Sequence, residues 1–236
     1  MEKSGSELLV EGLLVEGVKH LFGVSGSPLL PILDVLYGKP QIRYIQSQNE
    51  QFAMFMTNGY SRAARRTGVC MVTRGPGATN CMTGICQAFY TATPSLLISA
   101  EEGDKFYGLE TSLHHNVEGS VLYKPVTKLA RRVERADRIP ESLLTAFRLT
   151  STGRRGPVFL AIPKNIMIEK AEASFTPPER SRIQRLPMGN PQDISRAAEL
   201  LAAAKRPVAL VGGGVAWAGA QELLLQLAEH LAMPVA

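Results

Sequence analysis

Short apolar runs of β-forming residues alternate with longer stretches of helical spacing, and that alternation constrains the fold more than any other feature. The runs are LFGV, ending in the turn SGSP (21–28), IRYIQ (42–46), GVCMVT (68–73), SLLISAE (95–101) and PVFLAIP (157–163). Between them, 29–37, 49–66, roughly 78–91 and 140–151 read as helices, and Ser4, Ser6 and Glu7 open another over 4–20. Strands of this length, apolar on both sides and separated by helices, predict an α/β fold: an open parallel sheet with helices on both faces.

The pattern pauses between 170 and 191, where Pro177, Pro178, Pro187 and Pro191 stand among Arg180, Arg182 and Arg185. That composition reads as a linker over 171–190. A second unit then begins at 191, with a helix over 192–204, a strand VALVGGG (208–214) and a helix over 219–231. The segment 191–236 is too short to complete an α/β domain. The expected organisation is therefore one full domain over 1–170 and an incomplete second α/β domain over 191–236. The apolar ending, Met233-Pro-Val-Ala, reads like an interrupted strand, so a fragment of a longer protein is expected ahead of the alternative, one half of a split protein.

Composition removes several classes. The net charge is +5 and the isoelectric point is near 9.2. Residues 171–236 hold six basic and six acidic side chains, so the excess lies scattered through 1–170. Aromatics make up only 6%, and no basic stripe with interleaved aromatics is present, so nucleic acid is not an expected partner. No run of about 18 apolar residues spans a membrane, and the N-terminus lacks a secretory pattern, which points to a cytoplasmic protein. Cys70, Cys81 and Cys86 form no CxxC pair and read as reduced thiols. Nothing resembles a metal-binding motif.

Three features remain as candidates for chemistry. Glycine turns follow apolar runs at Gly26-Ser27-Pro28, Gly75-Pro76-Gly77 and Gly212-Gly213-Gly214. In a parallel sheet ligands bind beyond such strand ends. The third turn does not satisfy GxGxxG, and tight packing of helix on strand accounts for its glycines better than a dinucleotide does. Glu50 stands between a strand and the apolar segment FAMFM (52–56). A carboxyl in so dry a setting needs a raised pKa or a hydrogen-bond partner, although from the residues alone an acid favoured by the helix macrodipole is the simpler reading. His114 and His115 lie in a long polar segment without periodicity, the kind that carries function, although taken alone two surface histidines are the simpler reading.

These residues, taken in order, resemble a known family. The succession FGVSGSP, IQSQNEQFAMFMTNGYSRA, GVCMVTRGPGATNCMTGICQAF, TPSLLISAE, KPVTK and GRRGPVFLAIPKNI is similar to the pyrimidine-binding N-terminal domain of thiamine-diphosphate-dependent enzymes. The branch is that of acetolactate synthase and the 2-oxo acid decarboxylases. The resemblance spans about 5–170, and 191–236 looks like the start of that family's central domain. It implies that Glu50 is the catalytic glutamate that hydrogen-bonds N1′ of the cofactor's aminopyrimidine. It implies that Gly26, Pro76 and Asn80 line the cofactor pocket, that Ser27 and His115 meet substrate, and that His114 and His115 handle the substrate carboxylate and protons. The FAMFM run then becomes pocket wall and helix core.

The resemblance further implies an enzyme that makes or breaks C–C bonds next to the carbonyl of 2-oxo acids. An acetolactate-synthase-like reaction is the leading expectation, with a simple non-oxidative decarboxylase as the alternative and a non-catalytic relative as a remoter one. Thiamine diphosphate would be shared with a second subunit in a homodimer or tetramer, for which the apolar faces of helices 51–64 and 79–90 are the candidate interface. Mg²⁺ belongs to a C-terminal diphosphate-binding domain whose Gly-Asp-Gly motif does not occur here, so the isolated chain is expected to bind no metal and to be inactive. Three departures stand out: Gln48-Asn49 precede Glu50 where many relatives have Arg-His; Ser25-Gly26 replaces a usual Pro-Gly and is followed by Ser27, a serine similar to that of certain decarboxylases; and Leu113-His114-His115 replaces a Phe-Gln-Glu context common in synthases and resembles the paired histidines of pyruvate-type decarboxylases.

Overall fold

The alternation is realised as a six-stranded sheet in a computed structural model, which describes residues 1–106, 115, 117–182 and 188–236. The chain divides into two units, Met1–Arg182 and Ile183–Ala236. The first runs β1 (Lys3–Ser4), α1 (Gly5–Val15), β2 (His20–Gly23), α2 (Leu30–Tyr37), β3 (Arg43–Gln46), α3 (Glu50–Ala64), β4 (Gly68–Val72), α4 (Pro76–Thr79) and α5 (Met82–Tyr90). It continues with β5 (Ser95–Glu101), α6 (Gly119–Leu122), β6 (Leu129–Arg132), α7 (Ile139–Ser151), β7 (Val158–Pro163), α8 (Lys164–Ile168), β8 (Lys170–Ala171) and α9 (Pro178–Ser181). The second holds α10 (Pro191–Ala203), α11 (Gly213–Ala218) and α12 (Gln221–His230).

Strand order in the sheet is β3-β2-β4-β5-β7-β6, and every pairing is parallel. Side chains alternate across its two faces, as the pleat requires. Val69, Met71, Leu96, Ile98, Leu160 and Ile162 join Leu9 and Leu13 of α1, Ile32 of α2 and Leu143 and Phe147 of α7 in one core. Cys70, Val72, Leu97, Phe159 and Ala161 face the other way, against Ala53 and Met54 of α3 and Ile85 of α5. Burial of both faces explains why these strands are apolar at every position.

Local chemistry sets the helix starts. Ser4 and Glu7 form a reciprocal capping box on α1, worth about 1 kcal/mol. Polar groups inside the second core are paired: Asn58 donates to the Gly84 carbonyl at 2.8 Å and accepts from the Ser95 hydroxyl at 2.8 Å. This ties α3 to α5 and to the start of β5.

Several expectations are adjusted. The first helix ends at Val15, where Gly17 turns the chain with φ +73°. The helix expected near 78–91 is two, α4 and α5, broken at Asn80-Cys81. β6 was not foreseen, because LARR carries no apolar alternation; it is the sheet's edge strand. The stretch with linker composition packs on the first unit as far as Arg182. β8 pairs with β1 there, Phe175 lies against the core, and Arg182 meets the buried Glu16. In the second unit the expected strand 208–214 reduces to one bridge, Ala209 to Val235, and its last two positions lie in α11. Nothing lies within 4 Å of a Cβ built on Gly212, Gly213 or Gly214, so helix-on-strand packing does not explain those glycines in this chain.

Candidate active site at the switch point of the sheet

β2 and β4 are neighbours, but the chain leaves β2 toward β3 on one side and β4 toward β5 on the other. Their carboxyl ends therefore open a crevice, the place where parallel sheets bind ligands. A cavity of about 290 Å³ lies there. Gly26, Ser27 and Pro28 line it from the turn after β2, and Thr73, Arg74, Pro76 and Gly77 from the turn after β4. Glu50, which opens α3, and His115 complete the lining.

Glu50 is placed by its neighbours. Asn49 is extended, with φ −153°, and its side chain accepts from the Gln51 amide at 2.8 Å, capping α3. Ser47 in turn accepts from the Asn49 amide at 3.4 Å. The departure Gln48-Asn49 thus supplies a helix cap. The Asn80 amide group donates to Glu50 Oε2 at 2.9 Å, although the half-buried Glu50 and the exposed Asn80 make the setting less dry than the sequence predicts. That bond leaves Oε1 as the acceptor beside Gly77, where an added Cβ would sit 3.5 Å from it and 2.6 Å from Thr73 Cγ2. Of the FAMFM run, Ala53 and Met54 are buried, whereas Phe52 and Phe55 are exposed and do not wall the cavity.

The loop carrying Pro76 is held from beneath. Tyr123 is fully buried, donates its hydroxyl hydrogen bond to the Ala78 carbonyl and stacks on Phe159 with ring centroids 4.5 Å apart. The Cys81 thiol lies within 3.5 Å of the Glu50 carbonyl. Contact with Cys70 and burial push its pKa well above the ordinary value, so it is a packing group and not a nucleophile. Gly75 has φ +58°, and a Cβ there would come within 2.5 Å of the His115 carbonyl oxygen. Both the backbone angle and the approach of His115 require glycine.

A carboxylate-rich shelf adjoins the cavity. Glu101 ends β5, Glu102 follows it, and both are nearly inaccessible. Arg132 donates to Glu101 at 2.9 Å and to Asp104 at 2.6 Å, while the Arg74 guanidinium contacts Glu102. Burial raises the Glu101 pKa against the opposing pull of Arg132, and the Arg132 hydrogen bond lowers that of Asp104. A larger cleft of about 410 Å³ is lined by Gly17, Arg65, Arg66 and Arg182. It lies at the opposite end of the sheet, away from the strand ends where ligands bind, and its Arg182 is committed to Glu16.

The structure brings together Gly26, Ser27, Glu50, Pro76 and His115 on one cavity, with Asn80 joined through Glu50. His114 lies outside the described residues. Thr73, Arg74 and Tyr123 were not singled out from sequence, and Gly77 only as part of the turn Gly75-Pro76-Gly77. The available signal for Arg74 was its place between the end of an apolar strand and a glycine turn. Among the described residues no group of three His, Cys, Asp or Glu could hold a metal, and no helix is long and apolar enough to cross a membrane.

Comparison with known proteins agrees with this geometry. Residues 3–121 match the family model of the thiamine pyrophosphate enzyme N-terminal TPP binding domain, and residues 194–236 match that of the central domain. A probable acetolactate synthase large subunit of Methanocaldococcus jannaschii is 35% identical over 98% of this chain and 39% of its own length. The isozyme 3 large subunit of Escherichia coli is 35% identical, with 98% and 41% covered, and the large subunit of Corynebacterium glutamicum 35%, with 98% and 37% covered. The chain thus spans about two fifths of the length of these curated relatives. The chain, matched over half its sequence by one of these family models and over 194–236 by the other, belongs to the thiamine pyrophosphate enzyme family.

Proposed function

We propose that this chain supplies the aminopyrimidine-binding half of a thiamine-diphosphate site in an acetolactate-synthase-like enzyme. The protein would act at the C–C bond next to the carbonyl of 2-oxo acids. The observation that carries the reading is the Asn80-anchored Glu50 carboxylate on a cavity at the switch point of the sheet.

The residues fit the group. An aminopyrimidine ring needs a carboxyl oxygen for a ring nitrogen and a shallow wall that lets a flat ring approach. Glu50 Oε1 offers the first beside Gly77, and Gly26, Pro76 and Gly77 offer the second. Bound thiamine diphosphate supplies an electron sink for the carbanion left when a bond to the carbonyl carbon breaks. Glu50 holds and returns a proton at Oε1, and Asn80 fixes its other oxygen so that the carboxyl keeps one orientation. Ser27 and His115 stand where substrate would lie, and His114 is proposed to assist them. Residues outside this chain would hold the diphosphate and Mg²⁺, contributed by a partner subunit of a homodimer or tetramer, so the chain alone would turn over negligibly. The domain bounds proposed remain 1–170 and 191–236.

Ser27 and His115 on the same cavity favour one second reading, a simple 2-oxo acid decarboxylase that protonates the carbanion. Incubating the full-length protein with pyruvate, thiamine diphosphate and Mg²⁺ separates the two. Acetohydroxy acid or acetoin-type products are expected; acetaldehyde and CO₂ alone would exclude the synthase. Glu50→Gln is expected to lower the rate by about 10²–10⁴-fold, the usual contribution of a positioned acid–base group. An unchanged rate refutes the role of Glu50.

A further inference from the structure

We propose that Arg74 is the substrate-carboxylate receptor of this cavity, the residue that makes it select 2-oxo acid anions over uncharged carbonyl compounds. The inference rests on the reading of the cavity as a 2-oxo acid site. A 2-oxo acid entering beside Glu50 brings a carboxylate next to another carboxyl group, and a desolvated anion needs a cation and hydrogen-bond donors. Among the described residues that line the cavity, Arg74 is the one Arg or Lys. It occupies the same turn as Pro76 and Gly77.

The guanidinium is held at one edge only. Its Nη1 contacts the Glu102 carboxylate, and Arg74 and Glu102 side chains are 19% and 10% exposed. Its Nε is buried and makes no hydrogen bond. An Arg fork carries five donors in one plane, so an edge without partners beside a binding cavity is an unspent recognition element. A small rotation about the Glu102 anchor presents the Nε edge to a carboxylate, which can accept two parallel, charge-assisted bonds there. Glu102 keeps the guanidinium in place while the cavity is empty. A lysine retains the charge but cannot reproduce the fork.

The test uses the full-length protein with thiamine diphosphate and Mg²⁺. Arg74→Gln is expected to raise KM for pyruvate roughly 10- to 100-fold, the usual effect of losing charged hydrogen bonds. KM for methyl pyruvate, which lacks the charge, stays near wild type. The dissociation constant for thiamine diphosphate, read by quenching of protein fluorescence, stays within about twofold. Titration of pyruvate into the complex with unreactive deazathiamine diphosphate shows the same loss without turnover. Arg74→Lys, which keeps a cation on Glu102 and so guards against a folding defect, recovers part of the affinity. An unchanged pyruvate KM, an equal rise for the ester, or a parallel loss of cofactor affinity overturns the assignment. A wild-type protein that converts no 2-oxo acid refutes the reading of the site itself. An active wild type with an indifferent Arg74→Gln variant refutes only Arg74.

Discussion

Gly75→Ala tests whether the glycine turn and His115 are one unit. Gly75 has φ +58° and ψ −119°, a region open almost only to glycine. Placing alanine there costs about 1–3 kcal/mol from the backbone alone. The new Cβ would also lie 2.5 Å from the His115 oxygen and 2.9 Å from its Cα. Those are backbone atoms, which relieve an overlap only by moving the segment, and overpacking of this kind adds roughly 1–3 kcal/mol. Gly153→Ala is the control, because Gly153 has φ +58° but nothing within 4 Å of its Cβ. Only the conformational cost of about 1–2 kcal/mol applies there. The assay can isolate the first unit, since all six tyrosines precede residue 124 and the single tryptophan, Trp217, lies in the second. Unfolding followed by the near-ultraviolet tyrosine signal should show Gly75→Ala destabilised by at least about 1 kcal/mol more than Gly153→Ala. Each kcal/mol corresponds to roughly 2–4 °C in a domain of this size. Equal losses for the two variants would mean that His115 does not pack on the turn.

Two further outcomes follow from ionisable groups. Burial pushes the Tyr44 phenol up to about 12, and its hydroxyl is buried without a hydrogen-bond partner. Stability is therefore full below pH 10, where phenol in the unfolded chain starts to ionise, and is lost as pH rises toward 12. Tyr44→Phe should remove that loss, abolish the late step at 295 nm and stabilise the fold at pH 7 by up to about 1 kcal/mol; a destabilised variant would reveal a partner for the hydroxyl. Asp104 titrates below its ordinary 3.8 because Arg132 donates to it. Its contribution is present above pH 3.8 and disappears as pH falls through the lowered value, so acid titration of Asp104→Asn should show a shallower stability loss than wild type. An identical acid limb would exclude the pair as a contributor.

How much of this was legible depended on whether one strand or helix carried the signal. The central strands β4, β5 and β7 are buried on both faces, so their apolar runs announce themselves. β6 lies at the edge and reads LARR, with no period to find. Helix α3 shows the same limit at finer scale. Its apolar segment looked like a pocket wall, yet a 3.6-residue period turns Ala53, Met54, Thr57, Asn58 and Ser61 inward and leaves Phe52 and Phe55 outside. Apolarity alone could not choose between those faces, because the inward set is itself half polar and is satisfied by carbonyls and hydroxyls from α5, β5 and the turn before it. The site divides in the same way. Glu50, Pro76 and Asn80 came from the order of motifs, but the bond joining Glu50 to Asn80 spans thirty residues and has no spacing rule. Arg74 was less visible still. Beside a glycine turn it reads as a surface cation, and only the parallel neighbourhood of β4 and β5 brings Glu102 to one edge of its guanidinium. The fold is thus written in periodicity, whereas the division of labour within the cavity is written in which strand ends lie side by side. Glu50 lies beside Gly77 and Glu102 on Arg74, both in the turn after β4, and the strand order switches sides between β2 and β4. That switch places the Glu50 carboxyl and the Arg74 guanidinium on the same 290 Å³ cavity, the pairing that the proposed 2-oxo acid site needs.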